Sequence, residues 1–168
     1  REIAKKLGAK VYKVSNKLIF HLNKQLAVNK ASGKWILQLD ADEQISPELA
    51  REIKKIINQS KPQFNGYYLP RKNFFLTRFL TKGGQYPDYV IRLFLNGQGK
   101  FPCQSVHEQI AINGPVGYLH HPIIHWADRT FSRYLTRFNR YTSLDAAALC
   151  RQNIQPGFSM GFNYFVLK

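Results

Sequence analysis

The chain has 168 residues, with 25 Lys and Arg against 10 Asp and Glu for a formal net charge of +15, and hydrophobic residues make up 44% of it. That apolar share supports one packed core and excludes an intrinsically disordered chain, while the charge favours an anionic partner: nucleic acid, an acidic membrane surface or a phosphorylated substrate. Cys103 and Cys150 are too few for a disulfide framework and lack metal-ligand spacing, which fits a reducing compartment, and no apolar run reaches the roughly 18 residues of a membrane-spanning helix.

In chain order, residues 1–8 read as the last turns of a helix, with Ile3, Ala4 and Leu7 on one face and Gly8 as the stop. Residues 9–14 alternate apolar and basic side chains, the pattern of a half-buried strand. A helix is predicted over 21–32, with Leu22, Leu26, Ala27 and Ala31 inward. A short apolar strand, 35–39, runs straight into Asp40. Ser46 as N-cap, Pro47 and Glu48 then start a helix whose apolar stripe is Leu49, Ile53, Ile56 and Ile57. This alternation of helix and strand predicts a mostly parallel α/β sheet. Beyond Pro62, strands are expected at 66–69, 90–95 and 109–112, followed by a long helix over 130–150. In that helix Phe131, Tyr134, Leu135, Phe138 and Tyr141 recur at helical spacing, with Arg133, Arg137 and Arg140 on another flank, and an aromatic tail follows at 157–168. The chain reads as a fragment that begins in mid-domain.

Three of the ten acids, Asp40, Asp42 and Glu43, fall within four residues. Their mutual repulsion is costly unless something positive sits there, such as a metal ion. Ligands of open α/β sheets bind outside the carboxyl ends of strands, and Mg²⁺ or Mn²⁺ takes oxygen ligands alongside substrate phosphates. The bland alternative is a solvated turn capping the next helix. Four of the five histidines lie between 107 and 125, but no His-Glu-x-x-His helix accompanies them and no cysteine is suitably spaced, which argues against a dedicated zinc site.

The run from Ala31 to Glu43 with Ser46-Pro-Glu-Leu49 resembles the family-two glycosyltransferases, which have a GT-A type fold and an Asp-x-Asp motif. The resemblance continues through residues 66–75, Gly83-Gly84, residues 86–89, Arg92-Leu-Phe94, Val106-His-Glu108, residues 114–117, His125 and Asn139-Arg-Tyr141, and it is similar to the subgroup acting on the lipopolysaccharide core. It implies an α/β, Rossmann-like GT-A fold with a mixed sheet and flanking helices, lacking its first strand. Residues 1–128 would be a partial catalytic domain and 129–168 a basic, aromatic helical region. It also implies a metal-dependent, inverting transfer of sugar from a nucleotide-sugar donor to an anionic glycolipid or oligosaccharide acceptor.

By that resemblance, Asp42 binds Mn²⁺ or Mg²⁺ and Asp40 contacts the ribose or the metal's water shell. Lys24 lies near the nucleotide, while Gln25 replaces the Asn usual in the subgroup. Glu108 is the general base with His107 positioning it, and Asp88 is the competing base. His125 is a candidate metal ligand, against a core histidine. Arg71, Lys72 and above all Arg92 are candidates for binding an anionic acceptor or the diphosphate, against ordinary surface charge. Arg129, Arg133, Arg137 and Arg140 beside Phe131, Leu135 and Phe138 suit either an anionic membrane surface or a core-facing stripe with a solvated back. The expected location is cytoplasmic, peripheral to the inner membrane. The rival readings are a basic nucleic-acid-binding module, disfavoured by the absence of any recognisable nucleic-acid motif, and a noncatalytic glycan-binding remnant of the same scaffold.

Overall fold

A computed structural model describes residues 1–15, 21–103 and 108–151. His107 and the aromatic tail at 157–168 lie outside the described residues. The elements are α1 (Glu2–Lys6), α2 (His21–Lys30), β1 (Trp35–Leu37), β2 (Glu43–Ile45), α3 (Pro47–Ile57), β3 (Gly66–Phe75) and β4 (Arg78–Phe79), then β5 (Asp88–Leu95), β6 (Gly99–Lys100), β7 (Ala111–Ile112), β8 (Val116–Tyr118), β9 (Ile123–Asp128) and α4 (Phe131–Arg151).

Helix α3 forms where its start signals stand. The Ser46 hydroxyl accepts a hydrogen bond from the Leu49 amide at 3.1 Å, Pro47 occupies the first turn, and Leu49, Ile53 and Ile56 are buried. Helix α2 departs from expectation. Its inward residues are His21, Lys24, Gln25 and Val28, while Leu22 and Leu26 are exposed. The spacing i, i+3, i+4, i+7 is kept, but most of the inward face is polar, because those side chains serve partners elsewhere in the protein. The strand expected at 9–14 is absent from the described residues; Tyr12 and Val14 are exposed, and alternation alone makes no strand without a neighbour to pair with.

The main sheet has seven strands in the order β1-β5-β3-β9-β2, with β4 and β8 also paired to β3. β1 and β3 run antiparallel to β5, β2 runs antiparallel to β9, and β8 runs parallel to β3. The sheet is therefore mixed, as the resemblance implies, and not mostly parallel as the early alternation of helix and strand predicts. β3 and β5 pair antiparallel with no helix between them, and β1 takes β5 rather than its successor as its partner. Strand β2, which the sequence analysis passed over, lies between Asp42 and the Ser46 cap.

Each face of this sheet has a core. Leu49, Ile53 and Ile56 of α3 pack with Tyr67, Leu69, Val90, Leu93, Leu119 and Ile123. Val28 of α2 packs with Ile36, Ile91, Phe94, Phe101 and Ile110. The adjacent residues Val90 and Ile91 serve opposite cores, as strand alternation requires, and Leu93 and Phe94 repeat the division. Between these pairs β5 carries a bulge: Tyr68 faces Ile91 and Tyr67 faces Leu93, which leaves Arg92 without a counterpart on β3.

The chain divides into two compact units, residues 1–73 with 79–125, and residues 74–78 with those from Trp126 onward. In the second unit Tyr134 of α4 meets the rings of Phe75, Phe131 and Phe138, and the Arg129 guanidinium lies 5.2 Å from the Trp126 ring centroid. Asp128 is fully buried and ion-paired with Arg137, with Arg133 Nε 4.0 Å away. Two of the flank arginines thus face a protein carboxylate, whereas Phe131, Leu135 and Phe138 are exposed. Among the described residues no helix is long and apolar enough to cross a membrane.

Leu69 is fully buried at the centre of the α3-side core. Leu69→Ala is expected to cost about 2–5 kcal/mol in urea unfolding. Ser46→Ala, which removes only the cap, is expected to cost about 1 kcal/mol.

Candidate functional site

The chain leaves β1 through Gln38 and Leu39 and turns at Asp40. The turn is closed twice: the Glu43 amide donates to the Asp40 carbonyl at 3.0 Å, and the Asp40 amide donates to Glu43 Oε2 at 3.0 Å. Glu43 is therefore not a solvated helix-cap residue. Its side chain is 0% exposed. It meets Arg92, whose buried guanidinium the β5 bulge directs into the turn. Arg92 Nε donates to Glu43 Oε2 at 3.0 Å and Nη2 to Glu43 Oε1 at 2.7 Å, the fork geometry that makes an Arg–carboxylate pair strong. Nη2 also reaches Asp40 Oδ2 at 3.0 Å, and Nη1 donates to Gln38 Oε1 at 2.8 Å. Gln38 returns Nε2 to Asp40 Oδ1 at 3.1 Å, and the Lys24 ammonium is ion-paired with that same oxygen.

From Glu43 the network runs on along the sheet. Arg71 Nη1 is 3.6 Å from Glu43 Oε1, while its Nε and Nη2 donate to Asp88 Oδ2 at 2.9 and 2.7 Å. Arg71 and Asp88 are paired across β3 and β5. Asn73 Nδ2 adds a third hydrogen bond to Asp88 Oδ2, at 2.9 Å, which fixes the amide so that its Oδ1 faces His125 Nδ1 at 2.6 Å. An amide oxygen only accepts, so His125 carries a proton on Nδ1. In the neutral ring, Nε2 then bears the lone pair. Nε2 is 3.7 Å from Asp42 Oδ2, and the two residues meet because β2 and β9 place Glu43 opposite His125. Lys24, Asp40, Asp42, Asp88, Arg92 and His125 are thus brought together in one connected cluster.

Glu108 occupies a neighbouring place. It is nearly buried, with Oε2 3.9 Å from His21 Nδ1. His21 and Lys24 are three residues apart on α2 and share a face, so Glu108 and Asp40 contact adjacent turns of one helix. Gln25 on that helix accepts the Phe101 amide at 2.8 Å. Burial, and then the Glu108 charge, push the Cys103 thiol up from its ordinary value. His120 and His121 lie apart from this cluster. Their amides and His121 Nδ1, at 2.8 Å, contact Glu52 of α3. Burial pushes Glu52 up, but the hydrogen bonds of His121, with the amide and charge of His120, together hold the carboxyl below its usual value. Lys72 is 5.0 Å from the Phe79 ring centroid.

The acids at the strand end do not need a metal ion to tolerate one another. Asp40, Glu43 and Asp88 are matched by Lys24, Arg92 and Arg71, three charges of each sign. Burial pushes the Asp40 carboxyl up, but the Lys24 hydrogen bond, the charges of Arg92 and Lys24 and the Gln38 hydrogen bond together hold it below its usual 3.8. Asp42 stands at the margin of this neutral network, 37% exposed and facing His125. One carboxylate and one imidazole suit a divalent cation that takes its other ligands from phosphate and water, and Asn73 behind His125 is the kind of outer partner that orients such a ligand. Both Asp40 oxygens are already engaged by Lys24, Gln38 and Arg92. Among the described residues no group of three or more His, Cys, Asp or Glu converges as a complete protein cage.

Sequence reasoning missed Gln38 and Asn73 as parts of this cluster, and it placed Glu43 in the acidic turn without pairing it to Arg92; the available signal was a charged Arg92 inside an otherwise apolar strand. Because Asp40 is depressed in the folded state, its contribution to stability is present above its unfolded value and is lost as pH falls through its folded value. The stability difference between wild type and Lys24→Met is therefore expected to be full near neutrality and to shrink below about pH 4, measured by urea titration across pH. Glu43→Ala removes the fork partner of the buried Arg92 guanidinium, which keeps only Asp40 and Gln38, and is expected to cost about 3 kcal/mol in the same measurement.

No protein-family model matches the chain. It is similar to the lipopolysaccharide core biosynthesis glycosyltransferase LpsC of Rhizobium meliloti (strain 1021), at 25% identity over 137 residues covering 80% of this chain and 50% of that protein. It is also similar to an uncharacterized glycosyltransferase of Rickettsia bellii (strain RML369-C), at 26% identity over 166 residues covering 92% of this chain and 55% of that protein. The chain spans about half the length of these curated relatives. A mixed α/β sheet with flanking helices is compatible with such an enzyme, and the chain is a distant relative of proteins named glycosyltransferases, one of them in lipopolysaccharide core biosynthesis.

Proposed function

We propose that this chain forms the metal-binding and acceptor-activating part of a family-two, GT-A type glycosyltransferase. The enzyme transfers a sugar, with inversion, from a nucleotide-diphosphate donor to a glycolipid or core-type oligosaccharide. The observation that carries this reading is the Asp42–His125 pair where β2 meets β9, held by a charge-balanced network that leaves Asp42 the more exposed of the two aspartates. The relative named for lipopolysaccharide core biosynthesis supports the acceptor class. The net charge of +15 supports an anionic acceptor met at the cytoplasmic face of the inner membrane.

Asp42 and His125 would hold Mn²⁺ or Mg²⁺. When bound, the cation offsets charge on the departing diphosphate. Lys24, half-buried against Asp40, lies on the nucleotide side. Arg92 acts by holding Asp40 and Glu43 in place, since its donors are directed to them and to Gln38. Glu108 takes the proton of the acceptor hydroxyl as that oxygen bonds to the sugar's anomeric carbon. The bond from that carbon to the diphosphate breaks, and the electron pair leaves with the diphosphate. Asp88 orients Arg71 and Asn73, and through Asn73 the His125 ring, because its Oδ2 accepts three hydrogen bonds from those two residues.

In the full-length protein, Asp42→Asn is expected to weaken Mn²⁺-dependent binding of nucleoside diphosphates at least about tenfold, read by calorimetry with uridine, guanosine and cytidine diphosphates. Glu108→Gln should keep that binding and lose transfer by about 10²-fold or more. Unchanged Mn²⁺-dependent binding in Asp42→Asn removes the metal assignment, and unchanged transfer in Glu108→Gln moves the base to Asp88.

A further inference from the structure

Three tyrosines from three strands meet on the α2-side face of the sheet. Tyr68 of β3 and Tyr118 of β8 are register partners, with rings stacked at 5.0 Å and 18°. Tyr89 of β5 stands against Tyr118 at 5.0 Å and 83°. The rings therefore make a corner with two walls close to perpendicular. Tyr118 is 56% exposed and Tyr89 39% exposed. The neighbour of Tyr118 on β8 is Gly117, where a Cβ would come within 2.7 Å of the Phe64 ring and 3.0 Å of Tyr67. Residue 117 thus faces the α3-side core, and strand alternation turns Tyr118 to the opposite face, where Tyr68 packs against the α2-side core.

The place of the corner gives it meaning. Strand alternation turns Tyr89 to the face opposite Asp88, and the Gln109 side chain, next to Glu108, is fastened to the stretch of β5 around Tyr89. Gln109 Nε2 donates to the Tyr89 carbonyl at 3.2 Å, and Gln109 Oε1 accepts the Ile91 amide at 3.1 Å. The backbone at Glu108, the proposed base, is therefore pinned alongside Tyr89. An aromatic face carries negative charge density and attracts the weakly positive C–H edges on one side of a pyranose, while the phenol oxygens suit its hydroxyls. A sugar ring stacked on these tyrosines lies next to the stretch that Gln109 fastens, one residue from the group that would take a hydroxyl proton. We infer that Tyr68, Tyr89 and Tyr118 form a stacking subsite for one sugar ring of the acceptor glycan. This rests on the glycosyltransferase reading and names the acceptor side of the same site.

The test uses the full-length protein and, as probe, the core oligosaccharide released from lipopolysaccharide by mild acid. Saturation-transfer NMR should show transfer from the protein to the C–H protons of one face of a single sugar ring. Tyr118→Ala and Tyr89→Ala should each weaken binding about tenfold by calorimetry, and Tyr118→Trp should retain it. If the tyrosines only brace the sheet through cross-strand contacts, the alanine variants lower the melting temperature and leave oligosaccharide affinity unchanged, which overturns the inference. Absence of saturation transfer in wild type overturns it as well. Mn²⁺-dependent uridine diphosphate binding, followed in the same samples, separates the two readings. Tyrosine-dependent glycan binding without nucleotide binding sinks the donor assignment and keeps the subsite, and the reverse keeps the donor assignment and sinks the subsite.

Discussion

The candidate site depends on one guanidinium. Arg92 stands where β5 has one residue more than β3 can match, and that extra residue turns a charged side chain into the protein instead of along either core. There it grips Glu43 with two nitrogens and reaches Asp40 and Gln38 with the remaining donor geometry. A cation so placed is tolerable only because carboxylates surround it, and the carboxylates are tolerable only because of the cation. The turn between β1 and β2 takes its shape from that mutual need, and Asp42 takes its position from the turn.

This arrangement divides labour between two aspartates that look equivalent in a sequence motif. Asp40 is consumed by internal partners and acts as a fixed negative post for Lys24 and Arg92. Asp42 faces a histidine whose tautomer is set by Asn73, which is in turn set by Asp88. A chain of hydrogen bonds thus runs from the side of the sheet where β3 meets β5 to the histidine that faces the carboxylate proposed to hold a cation. It is the kind of polar network that specifies one arrangement when every member is satisfied.

Much of the scaffold was legible because its signals are local. The Ser46–Pro47 start and the stripe of Leu49, Ile53 and Ile56 define α3 without reference to the rest of the chain. The acidic end of β1 was equally plain. What escaped were features decided by partners distant in sequence. The inward face of α2 reads as Leu22 and Leu26 when hydrophobicity is the guide, yet Lys24 and His21 turn inward to meet Asp40 and Glu108. Glu43 reads as a helix-start acid, because nothing near it reveals an arginine 49 residues away. The family resemblance implies the mixed sheet, whereas the early alternation of helix and strand points to a parallel one, because nothing local reveals that β1 pairs with β5. The buried Asp128 closes an apolar strand and was passed over, although Arg133 and Arg137 stand one and two helical turns further on.

The side chain of Gln109 occupies two backbone positions at the margin of β5, giving to the carbonyl of residue 89 and taking from the amide of residue 91. One amide thereby imitates a short piece of adjoining strand. The polar groups it satisfies are the ones another polypeptide would need in order to add itself to the sheet there. A single glutamine therefore fills two hydrogen-bonding positions that an added strand would need at that border, and Tyr89 still faces outward.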